Sequence, residues 1–325
     1  MQYRQMGKTG YKVSEIGYGA WGIGGDWWAG GSDDEALKAL HKSLDLGVNF
    51  IDTALAYGNG HSEKLIGKVL KERKEKIYIA TKIPRKDVMR PVEPGTPISE
   101  AYPKEWIIEC TEKSLKNLGV EKIDVQMFHF WTNEWIHNDD WKEAAAFLKA
   151  QGMIGAFGAS INFPYNQEDN GIPAMEAGLF DVCEVVYNIY QQEPEEDIFK
   201  AALKHNVGII ARCPLDEGSL SGKITPDSIF PEGSFQDYYF RGERKQEVYD
   251  KARELQWLVD EGYASSLPEA ALRFPLNQEA VSTIIVGMRS EKHVNANCQA
   301  SDKGPLSEDV IKRLKAHRWP HDYWA

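Results

Sequence analysis

Cysteine is scarce, with 4 in 325 residues, and Cys110, Cys183, Cys213 and Cys298 are scattered without metal-ligand spacing. They read as reduced, mostly buried thiols of a cytoplasmic protein, with Cys183 and Cys213 as small core residues inside strand patterns. Positive charge is in deficit: 38 Lys and Arg against 49 Asp and Glu leave a net charge of −11. That balance argues against nucleic acid or an anionic membrane as the main partner, without excluding a local basic pocket. No apolar run approaches a membrane span, and the opening Met-Gln-Tyr-Arg-Gln-Met-Gly-Lys lacks the apolar core of a signal peptide. Also missing is any Pro/Ser/Gly-rich linker or long charge run. Residues 1–325 therefore read as one domain, and 42% hydrophobic residues suffice for a large core. The most irregular stretches, Pro84–Pro103 and Thr225–Gly242, read as loops.

What is present is an alternation. After an N-terminal hairpin signal (Tyr3–Gln5, Gly7 to Gly10, Lys12 to Ser14) come eight strand-like runs. They are Glu15–Ala20, Val48–Asp52, Lys76–Lys82, Ile123–His129, Ile154–Ser160, Val182–Tyr187, Val207–Arg212 and Val281–Val286. Between them lie amphipathic helix patterns. In Asp34–Leu46, Leu37, Leu40 and Leu44 are spaced by three and four, and Gly47 stops the run. Ser62–Leu70, Lys104–Leu118 (ending at Gly119) and Trp141–Ala150 are similar. Alternating strands and helices predict a parallel sheet with crossover helices, and eight units at this length predict a closed (β/α)8 barrel. The expected fold is α/β: a TIM barrel with an N-terminal β-hairpin and long loops at its C-terminal face. The runner-up is an open doubly wound sheet. Gly17, Gly19 and Gly22 match its G-x-G-x-x-G fingerprint literally, but Gly24, Gly25, Trp27 and Trp28 follow where an apolar helix face should start.

Three successive strand ends carry Asp52, Lys82 and His129, and Tyr57 follows Asp52 by five residues in a loop that continues Gly58-Asn59-Gly60. In a barrel, active-site groups come from the C-terminal strand ends. A phenol with an ordinary pKa near 10 is a poor acid at neutral pH, and a neighbouring ammonium lowers it. Lys82 supplies the ammonium, Asp52 keeps it charged, and His129 can donate a hydrogen bond to a carbonyl oxygen. Such a set suits proton delivery to an oxygen gaining negative charge, as when hydride reaches an aldehyde or ketone from a nicotinamide.

The segment Phe50-Ile51-Asp52-Thr53-Ala54-Leu55-Ala56-Tyr57-Gly58 resembles the signature of the aldo-keto reductase superfamily. So do Gly60-His61-Ser62-Glu63-Lys64-Leu65-Ile66-Gly67, Thr81-Lys82, Phe128-His129, Gly155–Ser160, Pro214-Leu215 with Gly218 to Lys223, and Gly287–Asn297. The likeness runs from near the N-terminus to about residue 300. It implies a (β/α)8 barrel that binds NADPH, less often NADH, without a metal, and a tetrad of Asp52, Tyr57, Lys82 and His129 with Tyr57 as general acid.

The resemblance also implies the cofactor contacts. Trp21 falls near the nicotinamide and substrate, and Ser160 at the nicotinamide amide. Leu215, Gly218, Ser219 and Lys223 fall around the pyrophosphate, where a Gly-Ser-Leu-Ser-Gly-Lys loop independently suits a phosphate. Arg289, His293 and Asn297, spaced by four, are expected on one helical face after Gly287, holding the adenosine ribose and its 2′-phosphate. Several positions depart from the pattern. Ile161 stands where Asn or Arg is usual, Glu184 where a Gln contacts the nicotinamide amide, and Arg212 where an aromatic ring stacks on the nicotinamide. A guanidinium there disfavours the oxidised, positive ring. Asp216 and Glu217 set two acids in the pyrophosphate loop, which is unfavourable unless they point outward. Ala296 replaces a Glu often found before Asn297. Arg289 favours NADPH.

The expected partner is a small carbonyl or alcohol substrate. Trp27, Trp28, Trp131, Trp135, Tyr238, Tyr239, Phe240 and the tail from Trp319 to Trp324 are expected to line the pocket mouth or to pack loops onto the barrel. Two other functions fit less well. One is a cofactor-binding scaffold with little turnover, against which the intact tetrad argues. The other is a Schiff-base lyase using Lys82, which Asp52 disfavours by keeping the amine charged. Substrate, reaction direction and oligomeric state have no signature in the chain.

Overall fold

A computed structural model describes residues 1–25, 27–28 and 30–324 of the chain. Two short strands, β1 (Tyr3–Gln5) and β2 (Lys12–Ser14), pair antiparallel as the expected hairpin. The next eight strands are β3 (Ile16–Gly19), β4 (Phe50–Asp52), β5 (Tyr78–Ile83), β6 (Ile123–Phe128), β7 (Ile154–Ser160), β8 (Val182–Val186), β9 (Gly208–Arg212) and β10 (Val281–Gly287). All are parallel to their neighbours and close into a barrel in the order β10-β3-β4-β5-β6-β7-β8-β9. The open doubly wound alternative is thereby excluded, and Gly17 and Gly19 lie inside β3.

The crossover helices are α1 (Asp33–Asp45), α2 (His61–Glu72), α3 (Lys104–Leu118), α4 (Asp140–Ala150), α5 (Ile172–Glu176), α6 (Ile198–His205), α7 (Leu267–Leu276) and α8 (Glu291–Asp302). Their starts and stops follow local chemistry. Ser32 and Glu35 form a reciprocal capping box on α1, and Gly119 ends α3 in the left-handed region at φ 67°. The two stretches expected as loops each contain a short helix, Ile98–Ala101 and Phe235–Tyr239. Both are four or five residues long, too short for a periodic signal. No helix among the described residues is long and apolar enough to cross a membrane.

Two apolar layers hold the fold. Phe50, Ala80, Val125, Met127, Ala156, Val182, Ile210 and Ile285 fill the barrel interior, and Met6 joins them from the hairpin. Leu40, Leu65, Ile107, Leu148, Phe199 and Ala270, among others, seal the helices to the outside of the strands. The hairpin closes the N-terminal end: Arg4 donates to the carbonyls of Leu276, Gln278 and Val281, and pairs with Glu15 at 2.7 Å. The opposite end is left for the site.

Candidate active site

The strand register sets the site. Asp52 is level with Gly19 on one side and Ala80 on the other, Lys82 with Met127, Ser160 with Glu184, and Val186 with Arg212. Asp52, Lys82, Ser160, Glu184 and Arg212 thus stand at or near the C-terminal ends of five strands, and His129 follows β6 directly. The loop after β4 turns back on itself at once. Thr53 N–H donates to Ala80 O and Leu55 N–H to Lys82 O, so the loop stays tied to β5. Gly58, just after Tyr57, adopts φ 59°, and a Cβ there would lie 1.9 Å from Gly24 O. Only glycine lets the Tyr57 loop press against the loop after β3. Ser62 bonds both Thr53 Oγ1 (2.9 Å) and Ala20 O (3.0 Å), and the buried Glu63 accepts from Thr81 and Asn117. These bonds lock the start of α2 and the end of β5.

Lys82 Nζ donates to both Asp52 oxygens (2.6 and 2.7 Å) and to Thr53 O (3.1 Å). An ammonium has three N–H donors, so all are used. Lys82 Nζ also lies 3.1 Å from Glu184 Oε2, as an ion pair without hydrogen-bond alignment. It sits 5.4 Å from the centre of the Tyr57 ring. Burial alone would strip the Lys82 proton, but Asp52 and then Glu184 outweigh it and its pKa rises. Burial pushes Asp52 upward against the pull of Lys82. Tyr57 is raised above an ordinary phenol, first by burial, with Asp52 and Glu184 adding to it and Lys82 and Arg212 opposing. His129 stands edge-on to Tyr57 with ring centres 5.8 Å apart and stacks on Phe130. Burial, Lys82 and Arg212 drive its pKa well below 6.5, so the imidazole is neutral.

The expected cofactor residues divide. Ser160 Oγ donates to Glu184 Oε1 at 3.3 Å, and Arg212 Nε lies 3.6 Å from the same oxygen. Glu184 therefore joins the Lys82 cluster, which its reading as an amide contact did not anticipate. Leu215, Gly218 and Ser219 lie in a turn after β9, kinked at Glu217 and at Gly218 (φ 113°). Nothing lies within 4 Å of a Cβ placed on Gly218 or on Gly287. Lys223 is exposed at the end of this turn. Lys223, Arg289 and Lys292 all act on His293, whose pKa is lowered first by burial and then by them. Among the described residues no group of three or more His, Cys, Asp or Glu could hold a metal ion.

Two expectations, the shared helical face of Arg289, His293 and Asn297 and the strand place of Cys213, are corrected, and the open placements of Asp216, Glu217, Trp131 and Trp135 are resolved. Arg289, His293 and Asn297 do not share a helical face: Ser290 caps α8 by accepting from His293 N–H, so Arg289 precedes the helix. Arg289 reaches instead to Gly30 O (2.7 Å) and over the Trp28 ring, while Asn297 is buried. Asp216 and Glu217 do not point outward. Asp216 is buried and pairs with His321 at 3.1 Å, and Glu217 accepts from the Cys213 thiol at 2.9 Å. Burial raises the Glu217 carboxyl to about 7. Cys213 is not a core strand residue: it follows β9 with φ 56°. Trp131 and Trp135 are buried against Phe128, Trp141 and Phe180, and so pack the loop after β6 onto the barrel, the second of the two roles open to the loop aromatics. Asn162, beside the unusual Ile161, is spent on the same loop, bonding Trp131 N–H and O.

Trp21 lies beside Tyr57 with ring centres 6.3 Å apart. It is walled by Trp28 (5.2 Å), Phe235 (4.7 Å) and Trp324 (5.5 Å, stacked). Sequence reasoning missed Phe235, whose short helix follows Ser234, a capping residue before an aromatic run. The tail crosses the mouth as a strap. Trp319 N–H donates to Tyr190 O, Gln191 to His321 O, Arg244 to Tyr323 O, and Tyr238 Oη to Trp324 O. Beyond Phe235, a groove of about 810 Å³ runs past Trp27, Phe230, Tyr238, Arg241 and Lys245.

A buried cation on carboxylates beside a phenol, and a neutral imidazole next to that phenol, form one arrangement. The chain matches the model of the Aldo/keto reductase family over residues 15–318. It is 28% identical over 313 residues to the aldo-keto reductase YhdN of Bacillus subtilis (strain 168), covering 95% of this chain and 91% of that one. It is 27% identical over 305 residues to the NADH-specific methylglyoxal reductase of Escherichia coli (strain K12), covering 91% and 92%. The solved structure of a glycerol dehydrogenase from Gluconobacter oxydans superposes with a TM-score of 0.79 at 26% identity, over 99% of this chain and 97% of that one. The chain belongs to the aldo/keto reductase family.

Proposed function

We propose that this protein reduces an aldehyde or ketone with NADPH, using Tyr57 as the proton donor. The observation that carries the reading is Lys82, fully buried on Asp52 and 5.4 Å from the Tyr57 ring. A reduced nicotinamide, when bound, would supply the hydride that the carbonyl carbon takes up. Tyr57 Oη gives its proton to the carbonyl oxygen as negative charge develops there. The Lys82 ammonium stabilises the phenolate left behind, and Asp52 keeps Lys82 charged. Neutral His129 donates a hydrogen bond that orients the carbonyl. Trp21, Trp28, Phe235 and Trp324 exclude water from the reacting atoms and favour a substrate with an apolar or ring-bearing body.

A nicotinamide dinucleotide fits the polar atoms on offer. His129 Nδ1, Arg212 Nε and Ser219 Oγ are buried without hydrogen-bond partners around the mouth. Buried polar atoms of this kind require a partner, and a ligand's amide and phosphates would supply them. Ser160 and Glu184 would face the amide, with Arg212 as a planar cation beside the ring. Leu215, Gly218, Ser219 and Lys223 would line the pyrophosphate. Lys223, Arg289 and Lys292 put positive charge together beside His293 on a chain of net charge −11, which favours the extra 2′-phosphate of NADPH over NADH.

The test is consumption of NADPH, and separately NADH, by the purified protein across a panel of simple aldehydes and ketones. Carbonyl-dependent oxidation with kcat/KM higher for NADPH is the expected result. Binding of either cofactor without turnover of any carbonyl would refute the enzymatic reading.

A further inference from the structure

We propose that Glu184 is a positioning residue that, balanced by Arg212, fixes the charge around Tyr57 so that the phenol keeps its proton and the site is biased toward carbonyl reduction. The inference rests on the reading of Tyr57 as proton donor.

The geometry is a cluster of opposed charges. Asp52 holds Lys82 Nζ at 2.6 Å, Glu184 lies 3.1 Å from the same nitrogen and beside Asp52, and Arg212 lies 3.6 Å from Glu184. Formally the four charges cancel. Lys82 and Glu184 are each 2% exposed or less as side chains, so water does little to screen them. With Asp52 alone as counter-charge, Lys82 and Arg212 would leave the Tyr57 hydroxyl beside an excess positive charge. That excess would stabilise phenolate, the form needed to oxidise an alcohol. Glu184 removes it. Because Lys82 spends its three N–H donors on Asp52 and Thr53 O, it influences Tyr57 through its field, and Glu184 weakens that field directly.

The other ionisable groups facing Tyr57 do not take over this role. Asp52 comes from β4 and Lys82 from β5, while His129, after β6, is neutral because burial and the two cations hold its pKa down. Past Arg212 lie the Cys213 thiol, raised by burial, and Glu217, raised to about 7. Glu217 has finished titrating well below the range of the phenol. The same arrangement changes the role of Arg212: its guanidinium is countered by Glu184, so it weighs less against an oxidised nicotinamide than its sequence position implies.

Glu184→Gln keeps the shape and the Ser160 contact while removing the charge. The direct readout is the absorbance titration of the Tyr57 phenol, isolated by subtracting the matching Tyr57→Phe protein. In Glu184→Gln the midpoint should fall by about one pH unit. The alkaline limb of kcat/KM for carbonyl reduction should fall with it, and alcohol oxidation at neutral pH should rise about tenfold. Arg212→Met should move the phenol the opposite way, which keeps the idea testable if Glu184→Gln does not fold. The double variant should return near the wild-type midpoint. Unmoved phenol titrations in both single variants overturn the proposal, as does a Glu184→Gln effect confined to the KM for cofactor. A shifted titration in a protein that turns over no carbonyl leaves the charge assignment standing and removes the reductase reading instead.

Discussion

Replacing Lys82 by Met should cost stability as well as activity, and the size follows from the geometry. Lys82 Nζ is 2.6 Å from Asp52 and 3.1 Å from Glu184, and all three side chains are almost wholly buried. At separations near 3 Å each contact is worth roughly 5 kcal/mol at an effective dielectric of about 20, before desolvation is subtracted. Methionine matches the apolar stem but leaves two buried carboxylates without their cation. Removing one partner of such a pair typically costs about 3–5 kcal/mol. Urea unfolding at pH 8, followed by tryptophan fluorescence and circular dichroism, should show a loss of that order. The loss should depend on pH. Asp52 is already raised by burial, and without Lys82 it rises further. A carboxyl raised in the folded state penalises folding above its unfolded value near 4 and not below it. The deficit should therefore fade toward pH 4 and grow as pH rises toward the raised folded value. Adding Asp52→Asn should recover roughly half of it. A Lys82→Met protein within about 1 kcal/mol of wild type at pH 8, or a deficit flat with pH, would refute the reasoning.

Arg289→Gln should raise the KM for NADPH about tenfold and leave that for NADH nearly unchanged, as steady-state kinetics with both cofactors would show; equal effects on the two would remove Arg289 from the 2′-phosphate. The His321–Asp216 pair should tie the tail strap down in a pH-dependent way. Burial opposes the imidazolium, but Asp216 outweighs it and the His321 pKa is raised. Its contribution is then fully present below the unfolded value near 6.5 and is lost as pH rises through the raised folded value. His321→Gln should loosen Trp324 from Trp21, seen as a change in tryptophan emission and faster hydrogen exchange in the tail below pH 6.5. Indistinguishable exchange in the two proteins would count against the strap.

The barrel was legible because its determinants are local. Apolar runs such as Ile123 to Phe128 bounded by glycine and helix-capping residues mark a strand wherever they occur. The convergence of Asp52, Tyr57, Lys82 and His129 was legible because strand ends on one side of a barrel meet whatever the loops do. What was not legible depends on partners far away in the chain. Asp216 looked awkward in a phosphate loop because His321, 105 residues later, was not known to meet it. The pairing of Glu184 with Lys82 was not legible because the distance between β5 and β8 across the mouth is a property of barrel closure, not of either segment. Which loop aromatics pack inward also depends on distant partners: Trp131 and Trp135 are buried because Phe128, Trp141 and Phe180 together form an apolar wall for them. One error had a local signal. Ser290 is a preferred N-cap residue, and its position should have placed Arg289 outside the helix.

The most direct test compares wild type with Tyr57→Phe in carbonyl-dependent NADPH oxidation, with cofactor affinity measured in parallel by fluorescence titration. The phenylalanine ring keeps the packing against Trp21 and His129 and removes only the hydroxyl. The expected result is unchanged cofactor affinity with kcat lower by about 10²–10⁴-fold. Turnover by Tyr57→Phe within a few-fold of wild type would contradict the assignment of Tyr57 as the proton donor.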